Sequence, residues 1–329
     1  MPPLLTIKNL RVTFTNDGII NTVVKDINFA IEKGKITALV GESGSGKSIT
    51  ALSLLKLLPS NANATGEIFF CNCQSSTNLL HLSSKKINTI RGNSISMIFQ
   101  EPMTSLNPVL TCGRQVIEVL VKHKKYSSKV AREITIQLFE KTGLPNPEQI
   151  LKRYPHQLSG GQKQRIMIAM AICCNPTLLI ADEPTTALDV TVQKNILSLI
   201  KNLQVQNSMA VLLITHDLGL VNDVADEIIV MQKGEIAEYG NAQQVLHYPQ
   251  HNYTKLLLSS RPGKPKKPKP DIVKSAVGNN SGQHIAASQA PALEVRNIVV
   301  QFKEKKKYLG KAFKLQNGGK RGKFLCGTK

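Results

Sequence analysis

The chain has 329 residues, 41% of them hydrophobic and 19% charged. That is apolar material for a sizeable core and room for about two domains, and it excludes a chain disordered throughout, a collagen-like repeat and a small disulfide-stapled scaffold. The net charge of +20 is unevenly spread: residues 261–329 hold 17 basic and 3 acidic side chains, an excess of +14, and residues 1–260 hold 25 and 19, an excess of +6.

The basic excess belongs to the tail. Its composition predicts a solvated, poorly folded segment with no specific nucleic-acid partner. No window approaches the ~18–20 consecutive apolar residues of a membrane span. Met1-Pro2-Pro3-Leu4-Leu5 lacks the basic and apolar regions of a secretory signal. Cys71, Cys73, Cys112, Cys173, Cys174 and Cys326 show no framework spacing, which predicts reduced thiols and a cytosolic chain.

In chain order, short apolar runs alternate with helical patterns, which predicts an α/β fold. Leu4 to Phe14 reads as a strand, followed by the hairpin signal Asn16-Asp17-Gly18 and a second strand, Val23 to Ile31. Ile36 to Val40 reads as a buried strand that runs into a Gly-rich loop. Ser48 to Leu58 then reads as a helix ending at Pro59. Residues 110–152 read as mainly helical, with a break at Thr142-Gly143-Leu144-Pro145. Thr177 to Ala181 and Ala210 to Thr215 are further buried-strand candidates, each followed by a polar loop and a helical pattern. Residues 226–240 read as a hairpin turning at Lys233-Gly234.

Residues 261–291 form a Pro/Lys-rich linker by composition. Beyond it the chain repeats its own opening: Leu293-Glu294-Val295-Arg296-Asn297-Ile298-Val299-Val300-Gln301-Phe302 matches Leu5 to Phe14 at an offset of 288. At that offset Gly41 falls on residue 329, the last one. Residues 292–329 are therefore expected to be the truncated start of a second copy.

Gly41-Glu42-Ser43-Gly44-Ser45-Gly46-Lys47-Ser48 is a complete phosphate-binding loop between a strand and a helix. Its glycines let several backbone N–H groups turn towards phosphate oxygens, and the helix start adds a partial positive charge. Lys47 is placed for the β- and γ-phosphates and Ser48 for Mg²⁺. Downstream, Leu178-Leu179-Ile180-Ala181-Asp182-Glu183 ends an apolar strand in two carboxylates. Taken alone this is a solvated strand end. Paired with the loop, Asp182 fits the metal shell and Glu183 fits the polarisation of water.

Leu158-Ser159-Gly160-Gly161-Gln162 taken alone is a helix cap, but it is also the signature of the ATP-binding cassette (ABC) ATPases, which residues 4–260 resemble. In that family the signature grips ATP held by the opposite subunit. The resemblance assigns Phe14 to adenine stacking, Gln100 to the Q-loop, Ala187-Leu188-Asp189 to the D-loop and His216 to the switch position. It implies an α/β P-loop core, a mixed sheet with N-terminal antiparallel strands, carrying an inserted helical subdomain at about 100–170. Lys47, Gln100, Glu183 and His216 would be catalytic. Phe14, residues 41–48, Ser159, Gly160, Gly161, Gln162 and Asp189 would contact nucleotide. Ser48, Gln100 and Asp182 would hold Mg²⁺.

A finer resemblance is to oligopeptide and dipeptide importer ATPases. It rests on Phe99-Gln100-Glu101-Pro102-Met103-Thr104-Ser105-Leu106-Asn107-Pro108, on Tyr154-Pro155-His156-Gln157 and on Thr186 to Gln193. The family's C-terminal His-Pro-Tyr-Thr reads His251-Asn252-Tyr253-Thr254 here, within an extension at about 240–260. Many relatives carry a cysteine cluster there for iron–sulfur. This chain has no Cys between Cys174 and Cys326, so no cluster is expected. The linker and the repeated opening resemble the subgroup with two fused cassettes. The implied protein is an ATPase driving import of peptides or peptide-like solutes from the cytoplasmic face of the plasma membrane. Its implied partners are transmembrane permease subunits, a separate solute-binding protein and a second cassette, either a copy of itself or another ABC ATPase. Two other readings stay open: a non-functional remnant of a tandem protein, and a soluble cassette working on ribosomes or DNA.

Overall fold

The computed structural model describes residues 2–72, 75–100, 105–186 and 188–259. The linker and the repeated opening of the sequence lie outside the described residues, as do Glu101 to Thr104 and Ala187.

Two sheets form the body. Strands β1 (Leu5–Asn16) and β2 (Ile19–Ile31) make the expected hairpin, and β4 (Ala62–Asn72) and β5 (Ser75–Asn78) extend it into an antiparallel sheet ordered β2-β1-β4-β5. The second sheet is ordered β10-β9-β3-β8-β7-β6. It contains β3 (Ile36–Val40), β6 (Ile95–Ile98), β7 (Leu178–Asp182), β8 (Ala210–Thr215), β9 (Glu227–Gln232) and β10 (Glu235–Asn241). All its pairings are parallel except the β9–β10 hairpin.

The central strands β3, β7 and β8 are buried along their whole length, covered on both faces, which is why they read as nearly continuous apolar runs. The sheet's side chains alternate between two cores. Leu39, Ile180, Leu212 and Met231 face the antiparallel sheet and helix α1 (Lys47–Leu54), while Val40, Ala181, Leu213 and Val230 face the helical side. That side is built by α3 (Cys112–Lys124), α4 (Ser128–Lys141), α5 (Pro147–Lys152), α6 (Gly160–Ile172) and α7 (Val190–Asn207), while the short α2 (Ser84–Ile90), before β6, packs through Ile87 into the core of the antiparallel sheet. After β8 come α8 (Leu218–Val221), then α9 (Ala242–His247) and α10 (Asn252–Ser259) at the C-terminal end of the described chain.

Two expectations are corrected. Helix α1 stops at Leu54 rather than Leu58, because Lys56 turns left-handed (φ 51). Arg91 seals that end by donating to the carbonyl oxygens of Leu55 (2.8 Å) and Lys56 (2.7 Å). The helical stretch 110–152 breaks at Gly143 (φ 70) as expected, but also at Lys125 (φ 58), after which Ser127 caps α4 by accepting from the Val130 N–H. Among the described residues no helix is long and apolar enough to cross a membrane.

Candidate nucleotide site

The loop Gly41–Gly46 leaves β3 and enters α1 through Gly46, a left-handed N-cap (φ 102) that other residues rarely adopt. Lys47 is buried and curls back over the loop. Its ammonium donates to the carbonyl oxygens of Gly41 and Glu42, both at 2.8 Å, and lies 3.4 Å from Ser45 Oγ. Burial lowers its pKa against the opposing pull of Glu183, Asp182 and Glu42. The loop is also held from outside. The Gly234 N–H donates to the Ser45 carbonyl (3.1 Å), and the Glu42 N–H donates to Tyr253 Oη (3.1 Å).

Strand β7 lies beside β8, which pairs with β3, so its end faces the same rim as the loop. Ser48 Oγ donates to Asp182 Oδ1 at 3.0 Å. Asp182 is buried, and that burial raises its pKa despite the Ser48 bond. Next to it, Glu183 adopts a left-handed backbone (φ 45), with its N–H on the Ile214 carbonyl. Three side chains converge on its carboxylate: Thr186 Oγ1 (2.8 Å) and Gln100 Nε2 (3.2 Å) at Oε2, and His216 Nδ1 (3.3 Å) at Oε1. Burial opposes ionisation of Glu183, but the Thr186 and His216 bonds and the charges of His216 and Lys47 outweigh it and lower its pKa. Sequence reasoning did not single out Thr186 or Tyr253. Thr186 lies three residues after Glu183 in the motif already noted, whereas Tyr253 is joined to the loop only by folding.

The remaining predicted residues sit apart from this cluster. Ser159 caps α6, accepting from the Gln162 N–H (3.3 Å), while the Gln162 side chain accepts from the Ser159 N–H (3.1 Å), a reciprocal capping box. Gly160 and Gly161 approach Leu188 and Val192. Asp189 caps α7 by accepting from the Val192 N–H (3.0 Å). Phe14 is half-buried on β1 and packs on the smaller core.

A phosphate loop between a central strand and a helix, with the acidic end of a neighbouring strand beside it, defines a P-loop nucleoside triphosphatase. A sequence model described as ABC transporter matches residues 24–186. The dipeptide transport ATP-binding protein of Bacillus subtilis is 50% identical over 264 residues, 80% of this chain and 78% of that protein. The peptidoglycan transport ATP-binding protein of Agrobacterium fabrum is 50% identical over 79% of this chain and 47% of its own length. The glutathione import ATP-binding protein of Escherichia coli K12 is 41% identical over 91% of this chain and 50% of its own length. The chain thus spans about half the length of the last two relatives. A solved dimeric ATP-binding cassette in a post-hydrolysis state with ADP and Pi matches at a TM-score of 0.64 and 28% identity, covering 72% of this chain and 98% of that one. The chain belongs to the ABC transporter family, as one of its ATP-binding, ATP-hydrolysing cassettes.

Proposed function

We propose that this cassette powers a membrane importer of peptides or peptide-like solutes, working peripherally at the cytoplasmic face of the membrane. The observation that carries the reading is the convergence of Gln100, Thr186 and His216 on Glu183, beside the Lys47–Ser48–Asp182 rim. The names of the similar proteins supply the solute class.

In this reading residues 41–48 and Lys47 bind the phosphates of ATP, and Phe14 stacks on its adenine. Glu183 stays ionised at neutral pH, so it orients the attacking water and accepts its hydrogen bond. His216 and Gln100 hold that carboxylate and meet the γ-phosphate. Ser159, Gly160, Gly161, Gln162 and Asp189 serve ATP held by a facing cassette. Ser48 Oγ and Asp182 Oδ1 are hard oxygen donors, and a buried carboxylate gains from a neighbouring cation, so the pair fits Mg²⁺, with Gln100 as a further oxygen donor. Bound there, Mg²⁺ would offset charge on the phosphate oxygens.

The partners follow from the same reading: permease subunits, a solute-binding protein and a second cassette. A groove of about 280 Å³ lies between the end of β6 and helices α3 and α6, beside Gln100. It is lined by Met97, Phe99, His123, Met167 and Met170 among others, and Phe99 is 43% exposed. It offers a permease subunit an apolar coupling surface; the loop 101–108 is the other coupling candidate, and its residues 101–104 lie outside the described residues. Residues 1–260 are then one nucleotide-binding domain with its helical insertion and C-terminal extension. Residues 261–291 are a linker, and 292–329 the start of a second domain.

The test is Mg-ATP hydrolysis by Glu183→Gln. ATP binding should persist while turnover falls roughly 10²-fold or more. A rate equal to wild type would remove Glu183 from the reaction.

A further inference from the structure

The segment His251-Asn252-Tyr253-Thr254 has no part in the reaction as described, yet it reaches the phosphate loop. We propose that Tyr253 is a positioning residue for nucleotide binding, its phenolic oxygen holding the Gly41–Glu42 peptide in the geometry that the loop needs to receive phosphate. The inference rests on the loop 41–48 being the ATP site.

The Gly41–Glu42 peptide is held at both ends. Its N–H, that of Glu42, donates to Tyr253 Oη at 3.1 Å. Its carbonyl, that of Gly41, accepts from Lys47 Nζ at 2.8 Å, and the next carbonyl, that of Glu42, accepts from Lys47 Nζ at 2.8 Å and from the Ser45 N–H at 3.2 Å. This peptide opens the turn from which the following N–H groups are presented, so its orientation sets theirs. Lys47, the loop's own cation, is oriented against the same two carbonyls.

Tyr253 is itself well fixed. The residue is 5% exposed and belongs to the larger core, where burial raises the phenol's pKa and keeps the hydroxyl neutral. Its N–H donates to His251 Nδ1 at 3.2 Å. The turn before α10 is clamped from β10: Glu238 accepts from the Gln250 N–H (2.8 Å) and the His251 N–H (3.2 Å). A continuous path thus runs from β10 through Glu238, α10 and Tyr253 to the phosphate loop. Because packing holds the ring, deleting the hydroxyl leaves Glu42 without its partner instead of letting the ring move aside. The reacting cluster around Glu183 is untouched by that change.

Tyr253→Phe in the full chain tests this, with kcat and KM for Mg-ATP, the ATP dissociation constant by calorimetry and the melting temperature read together. KM and Kd should rise about three- to tenfold, the worth of one neutral hydrogen bond. The value of kcat should stay at wild type, and Tm should fall by only about 2–4 °C, the cost of that one bond. Unchanged KM and Kd, or a fall in kcat with KM unmoved, would overturn the role. Lys47→Ala separates this failure from failure of the site itself. Loss of ATP binding in Lys47→Ala beside a wild-type Tyr253→Phe sinks only the tyrosine. Undiminished binding in Lys47→Ala sinks the phosphate-loop reading, and the tyrosine with it.

Discussion

At Gly41 the phosphate loop leaves no space for a single added carbon. A Cβ there would lie 2.2 Å from the Met231 carbonyl oxygen and 2.9 Å from Ser45 Oγ. The first of these is backbone at the end of β9, inside the smaller core, and has little freedom to retreat. Gly41→Ala should therefore lower stability by about 1–3 kcal/mol, the usual cost of forcing volume into a packed site. A urea unfolding midpoint equal to wild type would contradict that crowding. Glu183 shows the complementary case, in which a residue is held in an uncommon conformation. Its left-handed backbone is sustained by the Ile214 carbonyl and by three side-chain partners. The partners also lower its pKa, so the carboxylate is charged across the neutral range and acts by orientation and charge, not as a base poised near pH 7.

At the scale of elements, helix α6 depends on its N-cap, Ser159. Ser159 and Gln162 satisfy each other's N–H groups in a reciprocal box. Ser159→Ala removes one half of it and should cost about 1 kcal/mol in urea unfolding without nucleotide; no loss would mean that the box contributes nothing to the fold. The sequence signature and the cap are the same residues, which is why this helix start was legible in advance. The strands Ile36–Val40 and Ala210–Thr215 were legible for a related reason, since burial on both faces writes an unbroken apolar run. The stretch 62–98 was not. The edge strand β5 is Ser75-Ser76-Thr77-Asn78, and β4 beside it opens on Ala62-Asn63-Ala64-Thr65-Gly66, so nothing local marks where they pair. The end of α1 was misjudged because Arg91, 36 residues beyond Leu55, caps it through the folded structure. The site divides in the same way. Its motifs stand in the sequence, whereas the Tyr253–Glu42 contact spans 211 residues and leaves no local trace.

At the scale of the whole molecule, the question is how one signature and one phosphate loop make a working site. In the proposed arrangement the start of α6 faces ATP on another cassette, so a single chain supplies one half of each of two sites. Two copies related head to tail complete both, and a solved cassette of this fold is dimeric. ATP then contributes to the interface itself, and dimerisation should depend on its presence. Hydrolysis would dissolve the dimer as it formed, which Glu183→Gln prevents by slowing turnover while leaving Ser48, Lys47 and the loop intact. Sedimentation of the 329-residue Glu183→Gln chain should therefore give a monomer without nucleotide and a dimer with Mg-ATP. A monomer in both conditions, with ATP bound, would rule out self-association and leave the facing half to a different cassette.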